Sequence, residues 1–234
     1  MELEDSRILI DDAANLLEEI EILYARDIEI GEDSPLLRVR IKQFLENINS
    51  ALEYAAFTAF TEFCADRVKN ERANHFERIE RNVYFPCKLQ KDGDYGFNKY
   101  MNERYPYLDQ EKPEVIDVFE KYQPFPTRSK WLSNLKDLVN SNKHRQLSKQ
   151  SHRKSMHINH LLTASGGGIF GVTLEGSGSQ PLISFEGEGS QPISFDGSIE
   201  YFFTFDEIDQ PVLKVLRRIY KSAPLIISDL EKIF

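Results

Sequence analysis

No stretch of this 234-residue chain approaches the roughly eighteen consecutive apolar residues that a membrane-spanning helix requires. A membrane is therefore not an expected partner. The opening Met1-Glu2-Leu3-Glu4-Asp5 is acidic where a secretory leader would be basic and then apolar, so a cytoplasmic location is expected. Cysteine is nearly missing. Cys64 and Cys87, with no secretory segment, are read as free thiols rather than a bridge. There is no Cys-x-x-Cys and no His-Glu-x-x-His spacing. If residues 156–162 form a strand, His157 and His160 project from opposite faces and share no ion, so no metal site is expected. Gly166-Gly167-Gly168 lacks the Lys-Ser/Thr ending of a phosphate loop and precedes a strand pattern, so it is read as a turn. Gly176-Ser-Gly-Ser offers a serine with no paired base. No cofactor is implied.

What the chain does have is a large apolar complement, 41% with 16 Phe and 10 Tyr, enough for a substantial core. The net charge of −9 argues against a surface that coats nucleic acid everywhere, but the charge is uneven. Residues 128–154 carry eight Lys and Arg against the single Asp137, with His144 and His152 among them, inside an otherwise acidic chain. Two readings of this island stand: a solvated turn, or a site for a phosphate-bearing ligand.

Apolar residues recur at helical spacing from Ser6 to Arg26. Ser34 as N-cap and Pro35 as first helical residue start a second helix expected to reach about Asn70. Its Ser50-Ala51 to Ala55-Ala56 stretch is a small-residue seam, suited to a homodimer or to packing on the first helix. Asn82-Val-Tyr-Phe-Pro86 reads as a short extended segment, followed by helices at 97–105, 113–122 and 130–142. Beyond Ser155 the period becomes alternating, which predicts an antiparallel sheet over about 155–205. The repeat Gly178-Ser-Gln-Pro-Leu-Ile-Ser-Phe-Glu-Gly and Gly189-Ser-Gln-Pro-Ile-Ser-Phe-Asp-Gly is read as a duplicated hairpin edge. Helical patterns at 211–220 and 224–234 close the chain. The fold class is thus α+β: a helical bundle over 1–147, then a β-rich section with a C-terminal helix over 148–234, packed as one unit.

The best-defined constellation lies at the end of the 130–142 helix. Lys136, Asn140 and His144 are spaced by four and share a face, so Asn140 can orient the His144 ring. A histidine flanked by Lys143 and Arg145 has the parts for metal-free RNA cleavage: a base near neutral pKa and cations for charge on phosphorus. Equally, these three residues suit a helix carboxyl end, where cations favour the dipole. Lys143, Arg145, Lys149, His152, Arg153 and Lys154 form the candidate ligand-binding set.

Asn49-Ser-Ala-Leu-Glu-Tyr54, Val83-Tyr-Phe-Pro86, Tyr122-Gln-Pro-Phe-Pro126, Trp131-Leu132 and Asn140-Ser-Asn-Lys-His144-Arg145, in this order, resemble the HEPN-like helical domain families of bacteria. The resemblance covers about residues 40–147. It implies a helical bundle that commonly dimerises, often a metal-independent ribonuclease of a defence or stress system. The family motif is an arginine, a polar residue and a histidine a few residues on; Asn140 and His144 match, while Val139 stands at the arginine position. That departure favours a non-catalytic interaction protein binding RNA or a nucleotide, with a ribonuclease using His144 as the alternative.

Overall fold

The computed structural model describes residues 3–127, 129–144, 147–184, 190 and 192–234. Two long helices, α1 (Glu4–Ile30) and α2 (Pro35–Phe63), pack side by side. α1 ends at Gly31, whose φ of 83° is left-handed and whose N–H donates to Asp27 O. α2 starts as its sequence predicts: the Ser34 side chain accepts from the Leu37 N–H at 3.2 Å, and Pro35 needs no partner for the N–H it lacks. The helix does not run on to Asn70. It breaks at Cys64 (φ −121°), and α3 (Ala65–Glu71) follows.

The small-residue seam is filled within the chain. Ala51, Ala55 and Ala56 have no exposed surface, and Ser6 Oγ on α1 donates to Ala51 O at 2.8 Å. A second copy cannot reach it.

After α4 (Phe76–Glu80), residues 82–88 form no strand. Side chains take the place of a neighbouring strand: Phe85 N–H donates to Glu53 Oε2 at 2.6 Å, and Lys88 N–H to Gln123 Oε1 at 2.8 Å. Gln123 Nε2 in turn donates to Pro86 O at 2.9 Å. Helices α5 (Phe97–Arg104), α6 (Leu108–Glu111), α7 (Pro113–Lys121), α8 (Pro124–Thr127) and α9 (Trp131–His144) complete this part.

The sheet begins earlier than the change of hydrophobic period suggests. β1 (Gln150–Thr163) is central, flanked by β2 (Gly168–Ser177) and β3 (Pro192–Phe205), with a short β4 (Gln210–Pro211) beyond β3. All pairings are antiparallel. Because β2 and β3 both oppose β1, they run parallel to each other, and the chain between them must travel back along the sheet. That requirement splits the repeat. Pro192 of the second copy opens β3, whereas residues 178–184 of the first form no strand, with Leu182 packed over Gly176 of β2. A Cβ on Gly176 would lie 2.6 Å from Leu182 Cδ2. Residues 185–189 and 191 lie outside the described residues.

β1 is bulged at Asn159, where pairing with β3 slips by one residue. His157 faces Ser198 and His160 faces Asp196, two positions apart on β3. The bulge therefore brings these two histidines to one face, where simple alternation separates them. Their rings turn to different neighbours: His157 Nδ1 lies 3.0 Å from Thr173 Oγ1, and His160 Nε2 2.9 Å from Ser194 Oγ.

The terminal helix is one element, α10 (Val212–Glu231), with Pro224 inside it rather than at a break. Ala223, Ile226 and Ile227 are buried on either side, so packing carries the helix past the bond that proline removes. α10 packs on α1, α2, α7 and α9 as well as on β3. The main core joins α1–α10 to Phe203 and Phe205 at one end of the sheet. Among the described residues no helix is long and apolar enough to cross a membrane.

Candidate functional site

α9 has two walls. Along one lies a pocket of about 590 Å³ between α2, α9 and the 84–89 segment, lined by Asn49, Glu53, Lys88, Lys136, Asp137 and Asn140 among others. Lys136 Nζ is held between Glu53 Oε1 and Asn49 Oδ1, the latter at 2.9 Å. Lys136 and Asn140 thus share a face, as their spacing requires. The side chains of Lys143 and His144, and all of Arg145, lie outside the described residues. Val139 is 2% exposed and belongs to the core, next to Asn140 on the pocket side. Burial displaces protonation here, at Tyr100 as at Asp137 and Cys87. Burial raises the Asp137 carboxyl above its usual value, and burial pushes the Cys87 thiol up to about 11. Cys87 is thus no thiolate nucleophile at neutral pH.

The rest of the basic island is not brought together. Alternation along β1 sends His152 and Lys154 to one face and Arg153 to the other. Arg153 pairs with exposed Asp209 at 3.4 Å, and Lys149 is exposed beside it, its carbonyl accepting from Asp206 N–H. His152 is a packing residue. Its ring stacks on Tyr201 (5.3 Å, 12°), leans on Phe203 (5.6 Å), and lies under Gly31 and Gly178. Nε2 is buried with no partner, and burial first, Lys154 second, lowers its pKa.

The other wall of α9 borders a cleft of about 840 Å³ between the sheet and the amino-terminal half of α10. α10 presents Lys214, Arg217, Arg218 and Lys221, all exposed. At positions i, i+3, i+4 and i+7 they fall within about 100° of helix circumference, opposite the buried Val212, Val215, Leu216 and Ile219. Lys130 joins them beside Trp131 at the start of α9. Arg217 is committed to Glu21 at 2.7 Å. From the sheet come Ser155, Glu175 and Glu200, which the register sets in one cross-strand row: Ser155 faces Glu175 on β2 and Glu200 on β3. Tyr24 closes the cleft floor, its hydroxyl accepting from Phe203 N–H at 2.8 Å, and burial raises its pKa.

No ion pair or hydrogen bond joins Lys130, Lys214, Arg218 or Lys221 to Glu175 or Glu200 among the described residues. The cleft therefore offers free cations on one wall and free carboxylates on the other. The sequence analysis does not single out this set, because the four α10 cations are spread among the carboxylates of an acidic chain. The i, i+3, i+4, i+7 spacing of Lys214-Val-Leu-Arg217-Arg218-Ile-Tyr-Lys221 was the available signal. Among the described residues no three His, Cys, Asp or Glu side chains are grouped to hold a metal ion. Comparisons with protein-family models, with curated proteins and with solved structures give no match to this chain.

Proposed function

We propose that this protein is a non-catalytic, HEPN-like binding protein for RNA or a free nucleotide, and that the cleft beside α10 takes the phosphates. The observation that carries the reading is the cation row Lys214, Arg217, Arg218 and Lys221, joined by Lys130, around one cavity in a chain of net charge −9. A local positive wall in an acidic protein attracts phosphate while the remaining surface repels it, which confines binding to the cleft. Support for the non-catalytic half comes from Val139. The residue at the family's arginine position is an aliphatic side chain 2% exposed and part of the core, so the motif's cation is missing there. Homodimerisation belongs to the proposal only through a surface other than the α2 seam.

The test is fluorescence anisotropy with a labelled single-stranded RNA 12-mer, across salt concentrations. Wild type should bind with an affinity that falls steeply with salt, about one counterion released per phosphate contact. Reversing Lys214, Arg218 and Lys221 together to Glu should weaken binding by about 100-fold or more, and Lys232→Glu, outside the cleft, should not. The RNA should stay intact in chelator. Salt-independent binding, or equal binding by the triple variant, would refute the cleft as the site.

A further inference from the structure

We infer that the same cleft reads a guanine ribonucleotide, with phosphate on α10, ribose at Glu200 and Ser155, and the base edge at Glu175. The inference rests on the phosphate reading above and adds to it. The strand order β2-β1-β3, with α10 beyond β3, fixes the sequence of groups met when moving away from the cations. Glu200 on β3 comes first, Ser155 on β1 next, and Glu175 on β2 last. Neighbouring strands are about 4.8 Å apart, so the two glutamates are roughly 10 Å apart along this row. An anion at one end and a run of hydrogen-bond donors leading away from it is the ligand such a cleft complements.

The donors follow from the acceptors. An ionised carboxylate accepts only, and its two oxygens accept best from two adjacent N–H groups or two adjacent hydroxyls. A ribose supplies vicinal hydroxyls, which suits Glu200 nearest the phosphates. Among the RNA bases, guanine alone sets a ring N–H beside an exocyclic amine on its pairing edge. That edge suits Glu175, whereas adenine and cytosine offer the amine alone and uracil one N–H. Both carboxylates are exposed and, among the described residues, unpaired with any cation, so a ligand need not break an ion pair to reach them.

The experiment is calorimetric titration of the full chain with GMP, dGMP, IMP, UMP and inorganic tripolyphosphate. GMP should bind at least tenfold tighter than IMP, which lacks the amine, and than UMP. Glu175→Gln should remove the preference for GMP over IMP, and Glu200→Gln the preference for GMP over dGMP. Both variants should keep or strengthen tripolyphosphate binding, since each removes a negative charge from the cleft. Equal affinity for all four nucleotides, with salt-dependent tripolyphosphate binding retained, would overturn base and ribose reading and leave the phosphate site standing. No binding of any probe would overturn both.

Discussion

His152 shows how a residue's chemistry is decided by its neighbours. In the sequence it sits among Lys149, Arg153 and Lys154 and looks like part of an anion site. In the fold its ring fills the space between Tyr201, Phe203, Gly31 and Gly178, with Lys154 as the nearest charge. The folded protein therefore favours the neutral ring. With its folded pKa below the ordinary 6.5, the unfolded chain binds more protons between those two values, so stability falls as pH drops below about 6.5. Thermal melts at pH 7.5 and pH 5 should show this loss, and His152→Phe should shrink it. Gly178 is required here for a different reason: an added Cβ would collide with the imidazole ring itself. Gly178→Ala should destabilise by about 1–3 kcal/mol in urea unfolding, because a packed ring, not a flexible chain end, must move. Val139 gives the converse test. Val139→Arg should not create a nuclease; it should lower the melting temperature, because a larger charged side chain replaces a packed one at a position only 2% exposed.

At the scale of elements, helices were the legible part. Ser34-Pro35 announces α2, Pro113 announces α7, and the apolar spacing of α9 places Leu132, Leu135, Leu138 and Val139 in the core as expected. Three features were not legible, each because the deciding contact is distant in sequence. The 82–88 segment reads as a strand, yet Glu53 and Gln123, more than thirty residues away, satisfy its backbone. The two repeat copies carry nearly the same local signals and adopt different structures, since only one of them can pair with β1. The island's described residues on β1, Arg153 against His152 and Lys154, are separated by a strand that begins at Gln150, before the alternation becomes visible. α7 and α10 are tied in a way open to measurement. Asp229 on α10 accepts from Lys121 Nζ at 2.7 Å and Tyr122 Oη at 2.8 Å, and also from Lys232. These bonds hold its carboxyl far below the usual carboxylate range. A depressed folded pKa gives stability that is complete above the unfolded value near 3.8 and is lost as pH falls below it. Asp229→Asn should therefore unfold earlier than wild type at pH 7, and the gap should narrow as the pH is taken below 4.

Over the whole molecule, helices and sheet share one core only at the sheet's base. Phe203 and Phe205 belong to the main cluster, whereas Ile158 (no exposed surface) and Leu161 (3% exposed) are buried outside it, farther along β1. Between and beyond them the sheet carries Phe170, Ile193, Phe195, Ile199 and Tyr201, each 45% exposed or more. The far half of the sheet thus lies outside the cluster shared with the helices, and the 178–184 segment packs on the near half, at Gly176 and His152. Regions with few shared contacts open separately, at lower free energy than the global transition. From β1 and β2 the cleft takes Ser155 and Glu175 and from β3 Glu200, Tyr201 and Phe202, all on the near side of Asn159, so opening the far half leaves the proposed site in place. Leu161→Ala and Phe203→Ala should separate the two units. The first should speed hydrogen exchange around residues 158–172 while the helical melt observed by circular dichroism shifts little. The second empties part of the shared core and should lower the whole melt by about 3–5 kcal/mol, exchange accelerating in α1 and α10 as well. Equal loss of helical stability in both variants would mean the sheet and the helices unfold as one cooperative unit.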